Sequence, residues 1–110
     1  MGNYDVALNN ILALEDNWDG NGAKRFSEDL VNWGKELASV LPDGFSIHPV
    51  ATGAIQFEYE NGDKYFEFEL VSCGNVSVFE KFEGKEINYG IQNVSVKKLA
   101  QMVRNNIVKG

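Results

Sequence analysis

Ile55-Gln56-Phe57-Glu58-Tyr59-Glu60-Asn61-Gly62-Asp63-Lys64-Tyr65-Phe66-Glu67-Phe68-Glu69-Leu70 alternates apolar and polar residues on both sides of an Asn-Gly pair. Successive side chains of a strand point to opposite faces, so a period of two marks a half-buried β-strand. Asn-Gly between two such runs is the strongest short-range hairpin signal, because both central residues of the favoured turn take positive φ. A two-residue turn at Asn61-Gly62 pairs Glu60 with Asp63, Glu58 with Tyr65 and Phe57 with Phe66. Ile55, Phe57, Phe66 and Phe68 then share one face, and Glu58, Glu60, Glu67 and Glu69 share the other.

The same period continues on either side. A three-residue connection, Ser72-Cys73-Gly74, lets Leu70 meet Val76 and Phe68 meet Val78, with Gly74 in the left-handed position. Glu83-Gly84 turns the chain into Lys85–Tyr89, with Ile87 and Tyr89 inward. Ile47-His48-Pro49 reads as part of an edge strand after Phe45, where the pattern changes from helical.

The N-terminal half has helical spacing. Tyr4, Leu8, Ile11 and Leu12 recur every three or four residues, capped by Asn3 or Asp5, in a helix expected to end near Asp16. A second helix opens at Ser27, with Glu28 and Asp29 in its first turn, and ends at Pro42-Asp43-Gly44. Its apolar stripe of Leu30, Val31, Gly34, Leu37, Ala38 and Leu41 contains a glycine, which marks a close approach to another element. A last helix, opened by Ser95, aligns Val96, Leu99, Ala100, Val103 and Ile107, with Lys97, Lys98, Arg104 and Lys109 mostly toward solvent. The expected fold is α+β: two N-terminal helices, a four- to five-stranded antiparallel meander and a C-terminal helix, with the helices on one sheet face.

Composition narrows the function classes. The 110 residues fit one domain, and 44% apolar residues suffice for a core. A net charge of −6 opposes direct binding to nucleic acid, which needs a basic surface to displace counterions. No apolar run approaches the roughly 18–20 residues of a membrane span, and Met1-Gly2-Asn3-Tyr4-Asp5 does not open a signal peptide. The lone Cys73 forms no intramolecular disulfide, so the expected compartment is the cytoplasm.

Catalytic chemistry finds little support. His48 is the only histidine and has no nucleophile placed to use it, and Cys73 sits in a turn without a basic neighbour. Walker, dinucleotide-binding, His-Glu-x-x-His and Cys-x-x-Cys patterns do not occur. The expectation is therefore a binding protein and not an enzyme.

Two candidate binding sites emerge. Counted from Asn17, a calcium loop would place oxygen ligands at Asn17, Asp19, Asn21 and Glu28, with Gly22 at the sharp turn. Neutral Asn17, Lys24 at the eighth place and the helix start at Ser27-Glu28 oppose it. A tight loop in which Trp18 packs inward while Asp19 and Asn21 bond the backbone is the competing reading. The second candidate is the polar sheet face. Glu58, Glu60, Glu67 and Glu69 cluster there with Tyr65, and the register adds Phe79 and Lys81. A carboxylate field with two aromatic anchors suits a basic protein partner, whereas a solvated face that keeps a sheet from aggregating has a similar composition.

Leu14-Glu15-Asp16-Asn17-Trp18-Asp19-Gly20-Asn21-Gly22-Ala23 resembles the N-terminal loop of a group of small bacterial and mobile-element proteins of largely unassigned function. In that group a helix leads into Trp-Asp-Gly-x-Gly-Ala, then a helix, a Leu-Pro break and a strand of the form Gly-x-Ile-x-Phe/Leu-Glu-Tyr/Trp. Leu41-Pro42 and Gly53-Ala54-Ile55-Gln56-Phe57-Glu58-Tyr59 occupy those places, so the match covers roughly residues 8–70. Arg25 stands where members usually carry Pro. The resemblance implies a shared fold, with Trp18, Asp19, Gly20 and Gly22 as the loop motif, and its mobile-element setting suggests partner binding and suppression. The expected function is an acidic inhibitor or neutralising factor, of the immunity, antitoxin or phage anti-defence kind. A calcium- or small-ligand-binding module using the 17–28 loop is the alternative, and a homodimer through a sheet edge stays open.

Overall fold

The computed structural model describes residues 2–109, with side chains described from Tyr4 to Ile107. Three helices and five strands run in the order α1 (Gly2–Leu12), α2 (Glu28–Ala38), β1 (Ser46–Pro49), β2 (Ile55–Asn61), β3 (Lys64–Ser72), β4 (Asn75–Phe82), β5 (Lys85–Ile91) and α3 (Val96–Lys109). The strands form one open antiparallel sheet in the spatial order β1-β2-β3-β4-β5, so the α+β meander read from the periodicity is the fold.

Local chemistry explains the helix ends. Ser27 caps α2, its hydroxyl accepting from the Leu30 N–H at 3.1 Å, and Ser95 does the same for Lys98 at the start of α3. The first helix ends at Leu12 and not near Asp16; Ala13 N–H makes a last α-type bond to Asn9 O, and Leu14 N–H closes a tighter turn on Ile11 O. It already contains Asp5 in its first turn, so Asp5 does not cap it; the expected cap by Asn3 and the solvent-facing place of Lys109 fall on side chains outside the described residues. The second helix ends at Ala38, before Pro42, with Ser39 as its C-cap.

One register was corrected by the structure. Asn61 pairs with Lys64, and the turn is Gly62-Asp63, so the facing pairs are Glu60–Tyr65, Glu58–Glu67 and Phe57–Phe68. Gly62 has φ +61° while Asp63 is not in the left-handed region, the sign pattern of a type II′ turn, which needs one residue at positive φ instead of two. Each strand moves by one residue, so every side chain keeps its expected face. After β3 the turn is Cys73-Gly74, closed by Ser72 and Asn75, with Val71 as an extra bulged residue. Leu70–Val76 and Phe68–Val78 pair as expected, and Gly74 is left-handed at φ +86°.

The core lies between the inner sheet face and the helices. Ile55, Phe57, Phe66, Phe68, Leu70, Val76 and Val78 meet Leu8 and Ile11 of α1, Leu30, Val31 and Leu37 of α2, and Leu99, Ala100 and Val103 of α3. Phe57 and Phe68 stack with ring centroids 4.9 Å apart, and Phe45 meets both edge-on. A Cβ on Gly34 would touch Leu8 at 3.4 Å and Leu70 at 3.5 Å, which is the close approach its place in the stripe implied. The Tyr4 hydroxyl donates to Pro42 O at 2.6 Å and accepts from Phe45 N–H at 3.1 Å, pinning α1 to the connection between α2 and β1.

Ile87 departs from its expected place. It shares the inner face with Tyr89, yet it is 54% exposed, because the helix layer does not cover the β4–β5 tip. Phe82, 43% exposed, lies at the same tip, beside an open hollow of about 330 Å³ lined also by Lys64, Glu80 and Asn106. Lys64 is the buried charged residue of the described core, and its ammonium donates to the Asn106 carbonyl near the end of α3.

Candidate functional site

The outer sheet face carries no helix, and strand alternation sorts its side chains into three rows. Ser46, Glu58, Glu67, Phe79 and Asn88 form the central row, flanked on one side by His48, Gln56, Glu69, Ser77 and Gly90. On the other side run Glu60, Tyr65, Lys81 and Glu86. All six residues expected to form a docking face, Glu58, Glu60, Tyr65, Glu67, Glu69 and Phe79, therefore share one surface across β2, β3 and β4.

Glu58 and Glu67 face each other directly, an arrangement that repels two carboxylates. Tyr65 relieves it. Its hydroxyl reaches Glu58 Oε2 at 2.6 Å, and Glu67 Oε1 lies within hydrogen-bond distance of the same oxygen. Burial and these two acceptors hold the Tyr65 phenol far above its ordinary ionisation range. The Tyr65 ring meets Phe79 edge-on at 6.0 Å, so a half-buried aromatic pair lies against the carboxylates. His48 extends the cluster at the sheet edge, with Nε2 3.9 Å from Glu58 Oε1. Lys81 and Glu86 close it on the β5 side, 3.9 Å apart. The sequence places His48 on an edge strand but not beside Glu58, because the β1–β2 register depends on the Val50–Ala54 turn, which carries no Asn-Gly type signal.

The 17–28 loop is self-contained. Asp19 Oδ1 accepts from the N–H groups of Asn21 at 2.8 Å and Ala23 at 3.0 Å, which holds its carboxyl below the usual range. Asn17, at φ +67°, accepts from Gly22 N–H through Oδ1 at 2.7 Å, and Asp16 Oδ1 accepts from Arg25 N–H at 3.0 Å. Trp18 donates from Nε1 to Lys24 O at 3.1 Å and packs on Phe26 with centroids 5.8 Å apart. Gly20 and Gly22 both take positive φ, so the loop motif is a backbone-binding turn that seats Trp18 against the core. Glu28 stands in the first turn of α2, where the helix dipole favours a carboxylate. Side-chain oxygens of Asn17 and Asp19 thus turn toward main-chain donors, and the described residues hold no group of three His, Cys, Asp or Glu side chains able to grip a metal.

His48 lies on the edge strand β1 and Cys73 in the β3–β4 turn, where Cys73 Sγ donates to Asp29 O at 3.6 Å. Among the described residues no helix is long and apolar enough to cross a membrane. No protein-family model, curated protein or solved structure matches this chain.

Proposed function

We propose that this protein is a small acidic inhibitor or neutralising factor, of the immunity, antitoxin or phage anti-defence kind, that occupies a basic surface of another protein. The outer sheet face carries this reading. It presents Glu58, Glu60, Glu67 and Glu69 around the Tyr65–Phe79 pair, on a sheet face that no helix covers. Aromatic side chains within a charged field are a usual anchor of protein interfaces, and a carboxylate field speeds encounter with a basic partner. The net charge of −6 supports the same polarity of partner, such as a nuclease or a nucleic-acid-binding complex. The resemblance of the Trp18–Ala23 loop to mobile-element proteins agrees with a neutralising role.

The test is affinity capture from the native host with two baits, the natural sequence and the double variant Glu60→Lys/Glu69→Lys. Glu60 stands opposite Tyr65 but neither substituted residue is hydrogen-bonded to it, so the partners of its hydroxyl, Glu58 and Glu67, are retained. The expected result is one stoichiometric basic protein recovered by the natural bait and lost from the variant, with unchanged circular dichroism. Equal recovery by both baits would place the interface elsewhere.

A further inference from the structure

We propose that β5 is the interface of a homodimer, in which two copies pair antiparallel about Asn88 to make one continuous sheet. The two edges of the sheet differ. Strand β1 has four residues and ends at Pro49, whereas β5 has seven residues and no proline. Short strands, proline and charged side chains are the ordinary protections of an edge; β5 is neither short nor broken by proline, and its charges, Lys85 and Glu86, are confined to its first two residues. Five of its seven residues are exposed, and its open side leaves every second residue's main-chain donor and acceptor without a strand partner.

The hydrogen-bond parity of that edge follows from its turn. Glu83 and Gly84 form a two-residue turn with φ +52° and +79°, closed by Phe82 and Lys85. A closing pair of that kind exchanges both main-chain bonds, and the pairs then alternate. Glu86, Asn88 and Gly90 therefore turn their N–H and C=O groups away from β4 and toward the open side.

A second copy matches this pattern. Full antiparallel overlap of Lys85–Ile91 with itself sets Asn88 against Asn88, Glu86 against Gly90, Ile87 against Tyr89 and Lys85 against Ile91. The outward-pointing residues meet only each other, which allows roughly six main-chain hydrogen bonds. No charged residue faces a like one, whereas overlap about Glu86 would oppose two carboxylates. The bare Ile87 of each copy gains the other's Tyr89, which already packs on the other's core.

Gly90 is the independent sign. Its φ lies outside the left-handed region, and a Cβ there would meet only Val76 O at an ordinary 3.8 Å, so nothing within one chain calls for glycine. Glycine inside a strand lowers its stability and often marks the close approach of another backbone. In the paired sheet Gly90 lies opposite Glu86 of the other copy and leaves room for its side chain. The pairing stands apart from the proposed docking face, which it would extend into two acidic patches on one side of a ten-stranded sheet.

Sedimentation velocity from about 10 µM to about 1 mM protein tests the pairing, in about 0.3 M NaCl to screen the repulsion between two copies of charge −6. The expected mass rises with concentration to twice 12.3 kDa. Asn88→Pro removes an outward N–H without touching the β4 ladder, and should hold the chain monomeric at unchanged helix and strand content. A second measurement does not depend on that variant folding. With Cys73→Ser as background, Asn88→Cys should oxidise to a covalent dimer and Glu86→Cys should not, because only position 88 meets itself. A single 12.3 kDa species at every concentration, or cross-linking at 86 in preference to 88, overturns the proposal.

Discussion

Tyr65 stands directly opposite Glu60, yet its hydroxyl bonds to Glu58, one step diagonally along the neighbouring strand. The phenol thus lies between Glu58 and Glu67, which oppose each other across the same ladder. A hydroxyl carries one proton and donates to one carboxylate at a time, so the phenol lowers the repulsion of a pair that the strand register forces together.

Tyr65→Phe removes that donor and keeps the ring. A partly exposed hydrogen bond to a charged acceptor contributes about 1 kcal/mol, so the melting temperature should fall by about 4–8 °C. Thermal unfolding monitored at Trp18 and Trp33 measures the change. A variant as stable as the natural sequence would show that the clamp contributes nothing.

Alkaline pH acts on three phenols. Tyr89 is pushed up to about 12 by burial and by its bond to Glu80, and Tyr4 and Tyr65 are raised from 10.0, chiefly by burial as well. A group with a raised folded pKa binds its proton more tightly in the native state, so its stabilisation is full below the unfolded value and fades as pH rises through the folded one. The urea midpoint should therefore hold up to about pH 10 and fall between pH 10 and about 12. Phenolate absorbance of these three residues should appear at higher pH in the folded protein than in the urea-unfolded chain.

Gly34 gives a contrast of size. An alanine Cβ fits at 3.4–3.5 Å from Leu8 and Leu70, and alanine favours the helix, so Gly34→Ala should gain about 0.5–1 kcal/mol. Gly34→Leu forces α2 away from α1 and β3 and should cost about 1–3 kcal/mol. Thermal unfolding of the two variants should move in opposite directions.

The 17–28 loop is expected to act through its backbone and not through a cation. Millimolar calcium and EDTA should leave the melting temperature of the natural protein unchanged, while Asp19→Ala, which strips an acceptor from two main-chain N–H groups, should lower it. A rise in melting temperature with calcium would restore Asn17, Asp19, Asn21 and Glu28 as ligands.

Period-two alternation placed Phe57, Phe66, Phe68 and the facing glutamates on their proper sides, because strand geometry leaves a residue no third direction. It could not choose between turns at Asn61-Gly62 and Gly62-Asp63, since either choice preserves both faces. The cost of a second positive-φ residue, not the hydrophobic pattern, separates them. Coverage was equally hidden. Ile87 has the alternation of a core residue, but whether a helix reaches it depends on how far α3 extends over the tip, a long-range fact. The bonds of Tyr4 to Pro42 and Phe45, and of Arg104 to Val40 O at 2.7 Å, join residues 38 or more positions apart and carry no local signal. On the outer face, the glutamates and Tyr65 were legible, while the hydrogen bonds that organise them needed the true register.

The strands lie in space in the order of the chain, each beside the one before it. As the protein leaves the ribosome, every new strand thus finds its template already made, and no pairing waits on a distant segment. Helix α3 follows all five strands, and its Leu99, Ala100 and Val103 belong to the same core as Phe66 and Val78. Until α3 docks, the inner face of the sheet is therefore formed but unsealed, and in that interval the chain is most exposed to chaperones and proteases.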